Sequence, residues 1–246
     1  MERCPYRLEN LFTGDKELFE NVLQNRQTVF VYDIDGILAN SAKAVFENFT
    51  EKTGIYASPV ELDERGYLTR LATKSGLDEE SIKHAEDGWY KQDILLSAHR
   101  YLYIKPLVEK TIRYYGPERN FVLTSRNPGL KDCTVNKWFP RELPKLFRTE
   151  NILIRDDSNA KIDGVLFKTD SLARLAAKAP WIVFIDDDIR FVKSALENIT
   201  NSLVINVLQG KTKSDFRHKR LVEIKRFPDE LQAMYPLLNA IEKVIG

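Results

Sequence analysis

Short unbroken apolar runs alternate along this chain with longer stretches whose apolar residues recur roughly every three to four positions. The runs at 28–33 (TVFVYD), 120–124 (NFVLT), 181–186 (WIVFID) and 203–207 (LVINV) are rich in β-branched and aromatic residues, which predicts strands buried on both faces. Helical periodicity surrounds them. Leu18, Phe19, Val22 and Leu23 share a face in 15–25, after a candidate cap at Thr13. Ser41 can cap a helix carrying Val45, Phe46 and Phe49, closed by Gly54. Further helices are expected from Pro106 to Gly116, over 128–139, over 171–179, over 190–198 and in the amphipathic tail 228–245. NILIR and GVLFK, separated by DDSNAKID, fit either a hairpin or a strand leading into a helix.

Between Gly54 and Lys105 the strand-like runs disappear. Leu68, Leu71 and Ala72 mark one helix ending at Gly76, and Asp78 caps another that continues over 81–103 with a break at Gly88. The pattern predicts a doubly wound α/β core, 1–41 and 106–246, with a small helical segment, 42–105, inserted after the first strand.

Composition narrows the class without naming it. With 246 residues, 43% hydrophobic and 30% charged, the chain suits a globular protein with a full core. A formal net charge of +1 does not point to nucleic acid or to an anionic membrane surface. Cys4 and Cys133 form neither a metal spacing nor a disulfide framework, the first residues lack a signal-peptide core, and no apolar stretch would span a bilayer. A cytoplasmic protein with no membrane partner is expected.

Chemistry enters where two strands stop on carboxylates. Asp33 and Asp35 end the first, and Asp186, Asp187 and Asp188 end the third. Parallel strands share one carboxyl edge, where ligands bind in open α/β sheets, so these residues and Thr124 are expected to converge there. Clustered carboxylates without thiolates or imidazoles suit a hard divalent cation, Mg²⁺ foremost, whereas a capping turn needs one Asp rather than three.

Taken in order, Asp33-x-Asp35-Gly36-x-Leu38 with Ser41, FVLTSR ending in Thr124, Lys168, and FIDDD resemble the four motifs of haloacid dehalogenase superfamily phosphatases. The inserted helices lie where many members carry a cap. The resemblance implies that Asp33 is the nucleophile, forming an aspartyl-phosphate, and that Asp35 is the acid and base, a role for which a raised pKa is expected. It implies that Thr124, with the N–H of Ser125, and Lys168 hold the phosphoryl group. Asp33, Asp186, Asp187 and the Asp35 backbone carbonyl would hold the metal. Lys168 is preferred to Lys161 because it adjoins the helix caps Thr169 and Asp170.

The expected activity is Mg²⁺-dependent hydrolysis of a small phosphorylated metabolite. A dehalogenase or phosphonatase reading is disfavoured by Asp35, since displacing a halide needs no acid. A non-catalytic phospho-ligand binder is disfavoured by the intact carboxylates. Arg126 fits either substrate contact or a solvated loop, and the basic stretch 211–226 fits a solvated surface better than a docking patch for an anionic partner such as nucleic acid.

Overall fold

In the computed structural model, residues 14–57, 66–208, 215–225 and 234–246 are described. They contain a six-stranded, wholly parallel sheet of order β3-β2-β1-β4-β5-β6. The strands are β1 (Val29–Tyr32), β2 (Asn120–Thr124), β3 (Ile152–Ile154), β4 (Ile182–Asp186), β5 (Ser202–Leu208) and β6 (Leu221–Lys225). β1 lies between β2 and β4, so the order reverses beside it, which is where an α/β sheet opens a crevice for ligand. The register Tyr32↔Ile185 sets Asp33 and Asp186 side by side, with the Asp33 N–H donating to the Ile185 carbonyl at 3.0 Å.

Each face of the sheet carries an apolar cluster. One joins Phe30, Tyr32 and Val122 to Leu107, Val108, Leu237 and Ile241. The other joins Val31, Leu123 and Phe184 to Leu172, Val192 and Leu196. A third cluster unites the inserted helices through Val45, Phe46, Phe49, Leu68, Ala72 and Leu95, and takes in Leu130 and Cys133 from beyond β2. Gly88 belongs to this packing: a Cβ there would stand 3.0 Å from Val45 Cγ1. The chain enters and leaves these helices along one path. Asn40 N–H donates to the His99 carbonyl at 2.9 Å, and Tyr101 N–H to that of Leu38 at 3.1 Å.

Several local expectations change. Thr13 lies outside the described residues, and Asp15 caps the first helix, accepting from Leu18 N–H at 3.0 Å. Asn40 rather than Ser41 caps the helix Ser41–Thr53. The segment after Asp78 breaks into Glu79–Lys83, a 3₁₀ turn Asp87–Tyr90 that contains Gly88, and Gln92–Ser97. NILIR supplies β3, parallel to β2, and GVLFK begins the helix Gly164–Ala176, capped by Asp163. Lys168 therefore sits inside a helix, not at its start. The expected helix after Pro128 includes a π-helical turn, Thr134–Trp138. Of the tail helix, Tyr235–Ile245 is described.

The basic stretch hides a strand. β6 falls within it, and Arg220 just before β6 is buried, its guanidinium donating to the carbonyls of Leu196, Ile199 and Ser202. It acts as an internal brace between β5 and the end of the helix Ile189–Asn198, which corrects the solvated reading at this position. Lys211, Lys213 and Arg226 lie outside the described residues. Arg220→Met should lower unfolding free energy by about 3 kcal/mol, because it strands buried acceptors. Urea unfolding would measure this, and a loss under about 0.5 kcal/mol would contradict the bracing role.

Candidate active site

The loop after β1 is closed on itself. The Ile34 carbonyl accepts from the N–H groups of Leu38 and Ala39 at 2.9 and 2.8 Å, and Gly36 supplies the positive φ of 81° that the turn requires. Ile34, Ile37 and Leu38 anchor it in the core. Asp33 is thereby fixed at the carboxyl edge, while Asp35, two residues on, reaches a different set of partners.

Lys168 enters from the helix Gly164–Ala176 and is only 1% exposed. Its ammonium donates to Asp186 Oδ2 at 2.7 Å and stands 3.0 Å from Asp33 Oδ1, with the Phe191 ring centroid 4.0 Å away. The approach to Asp33 is outside hydrogen-bonding direction, so Asp33 Oδ1 is buried with no hydrogen bond. Carboxylate oxygens of Asp33, Asp186 and Asp187 lie within 4.8 Å of one another. Lys161 is exposed in the preceding loop. The two lysines that the sequence left in competition are thus distinguished by position.

Burial pushes the Asp33 carboxyl well above its ordinary pKa; Lys168 pulls it down without cancelling that, and Asp186, Asp35 and Asp187 push it further up. Asp186 is also raised, chiefly by burial, against the pull of Lys168. Burial would lower the Lys168 ammonium, but Asp186 and Asp33 outweigh it and hold the pKa above normal. Asp188 stands apart. It caps the helix Ile189–Asn198 and pairs with Arg190, which resolves the run of three carboxylates into one cap and two members of the cluster.

Asp35 departs from expectation. Arg126 Nε donates to its Oδ2 at 2.9 Å, Arg126 Nη2 to its Oδ1 at 2.6 Å, and the Ser41 hydroxyl also donates to Oδ1. Burial acts to raise its pKa, but the Arg126 guanidinium and the Ser41 hydroxyl prevail and hold it below the usual carboxylate range. The raised pKa expected of a resting proton donor is therefore not found. The carboxylate is aimed at Arg126, and the described cluster of Asp33, Asp186 and Asp187 does not include it.

Thr124 is buried at the end of β2, and its Oγ1 accepts from Arg126 N–H at 3.3 Å. Ser125 follows at the start of the adjoining loop. A Cβ on Gly164 would come within 3.1 Å of Ser125 Cβ, so the lysine-bearing helix begins against this loop. Arg155, which sequence reasoning missed, braces both loops by donating to the carbonyls of Ser125 and Ile162 at 2.6 and 3.1 Å. Arg126 was visible as a charge beside a strand end, but its partner Asp35 is distant in sequence.

The donor set fits a hard dication. All its ligand atoms are carboxylate oxygens, one of them buried without a hydrogen bond, and three carboxylates face one ammonium.

No protein-family model matches the chain, and no curated protein matches it in sequence. Solved structures do. A haloacid dehalogenase-like hydrolase from Streptococcus pneumoniae has a TM-score of 0.52 at 14% identity, covering 83% of this chain and 96% of that one. A protein described as a beta-phosphoglucomutase from Bacteroides vulgatus gives 0.52 at 13%, covering 94% and 99%. Protein Tyrosine Kinase A of Mycobacterium tuberculosis gives 0.53 at 18%, covering 84% and 96%. The chain has the fold of haloacid dehalogenase-like proteins, and at such identity the likeness speaks of fold alone.

Because the native state holds the Asp33 proton more tightly than the unfolded chain does, this group's contribution to stability is full below the ordinary carboxylate pKa. It is lost as pH rises through the higher folded value. Metal-free Asp33→Asn should accordingly melt about 3 °C or more above the wild type at neutral pH. Mg²⁺ should raise the melting temperature of the wild type and have far less effect on the variant. Scanning calorimetry with and without Mg²⁺ tests both, and a variant that melts lower without metal would contradict the assigned strain.

Proposed function

We propose that the chain is a Mg²⁺-dependent phosphomonoester hydrolase acting on a small phosphorylated substrate through an aspartyl-phosphate on Asp33. The observation that carries this reading is the buried Asp33 oxygen without a hydrogen bond, set against the Lys168 ammonium and beside Asp186 and Asp187. In a purely structural site a buried oxygen without a hydrogen bond only costs stability, whereas a nucleophile needs one unengaged lone pair.

Asp33, Asp186, Asp187 and the Asp35 backbone carbonyl would hold the cation. When bound, it would screen the phosphate's charge and withdraw electron density from phosphorus. The chain's own residues supply the rest. Asp33 attacks phosphorus as the bond to the leaving oxygen breaks, and the alcohol departs with a proton given up by Asp35. Lys168 neutralises charge on the nucleophile in the resting state and on the phosphoryl oxygens as they accumulate it. The Thr124 hydroxyl and the Ser125 N–H hold a phosphoryl oxygen in line. The inserted helices would cover this edge and exclude water.

Asp33→Asn should lower turnover at least about a thousandfold with the fold retained, measured as phosphate release from a panel of phosphorylated metabolites. Activity near wild type would remove Asp33 from the mechanism. Chelation should abolish hydrolysis, and Mg²⁺ or Mn²⁺ but not Ca²⁺ should restore it, because Ca²⁺ demands more ligands at longer distances. Undiminished rates in excess chelator would refute the metal.

A further inference from the structure

The network around Arg126 is more elaborate than a loop residue needs. Its side chain is 3% exposed, and every nitrogen of the guanidinium is engaged. Nε and Nη2 span the two oxygens of Asp35, Nη2 also donates to Ser41 Oγ at 3.2 Å, and Nη1 donates to Thr134 Oγ1 at 3.1 Å. Thr134 is fully buried and opens the π-helical turn Thr134–Trp138, a local irregularity of the kind often found at functional sites. The Arg126 backbone N–H is itself tied to Thr124 at the end of β2.

We propose that Arg126 is a positioning residue that holds Asp35 as the proton acceptor for the water that hydrolyses the phosphorylated Asp33; this rests on the aspartyl-phosphate reading above. A carboxylate has about four acceptor sites. Asp35 spends three of them on Arg126 Nε, Arg126 Nη2 and the Ser41 hydroxyl, leaving one on Oδ2. The planar fork fixes the carboxylate plane and therefore the direction of that site, which a single ammonium would not do. In the step itself, the water oxygen bonds to phosphorus as the bond from phosphorus to the Asp33 oxygen breaks. The electron pair returns to Asp33, the water proton passes to Asp35, and inorganic phosphate leaves.

Arg126 would then matter most to breakdown of the intermediate and least to its formation from a substrate whose leaving group departs unaided. The test uses the full chain with Mg²⁺ and p-nitrophenyl phosphate, rapid quenching and intact-mass measurement, with Asp35→Asn as the reference that traps the intermediate. Arg126→Lys should give a first-turnover burst within about threefold of the wild type. Its steady-state rate should fall about a hundredfold, with one added phosphoryl group mapping to Asp33. Thr134→Val, which removes one support of the guanidinium, should show the same imbalance, reduced to a few-fold. If Arg126→Lys fails to fold by thermal melting, Thr134→Val decides by the same ratio. Equal slowing of burst and steady state without a trapped phosphoryl group would make Arg126 merely structural while Asp35→Asn still labels Asp33. Absence of label in Asp35→Asn as well would overturn the aspartyl-phosphate reading, and this proposal with it.

Discussion

A single buried ammonium governs the carboxyl edge of this sheet. Lys168 is packed as tightly as the core phenylalanines, yet it stands between Asp33 and Asp186, which end adjacent strands and are buried themselves. One positive charge serves two carboxylates, with Asp187 close behind. Burying such a group is unfavourable unless charge is balanced, so the arrangement constrains everything that meets there. The close approach of Gly164 to Ser125 seats the lysine-bearing helix on the loop after β2, and Arg155 fastens the same two loops through their carbonyls. The edge carries more negative than positive charge, and a dication would relieve that imbalance.

Asp33 and Asp35 show how two neighbouring carboxylates acquire opposite characters. The first is buried with an oxygen that accepts nothing, and its proton is held more tightly than usual. The second accepts from a guanidinium fork and a hydroxyl, which leaves one acceptor position open, and its proton is held less tightly. The turn at Gly36 makes this possible by reversing the chain directly after Asp35.

Much of the framework was legible because its signals are local. β2 was read residue for residue, β1 and β4 within one or two positions, and Asp78 as a cap, since buried parallel strands and capping side chains each leave a pattern in a few consecutive residues. What escaped depends on distant partners. β6 was masked by the basic residues around it, and Arg220 reads as surface until its carbonyl partners on two other elements are known. The extent of the helix carrying Lys168 was short by two turns because GVLFK is apolar enough to imitate a strand. The Asp35 environment could not be deduced from the number of nearby carboxylates, because the deciding group, Arg126, lies 91 positions away.

The chain passes into the inserted helices at Leu38–Asn40 and comes out of them at His99–Tyr101, with the two segments hydrogen-bonded to each other. Ends held this close behave as the neck of a loop, and closing a loop depends only weakly on its length, each doubling costing about 0.6 kcal/mol. The helices beyond the neck can therefore lengthen, shorten or be exchanged between relatives with little penalty to the sheet, provided a surface remains to pack on Leu130 and Cys133. Selection can thus rewrite the helices beyond the neck while the charges at the carboxyl edge stay where they are.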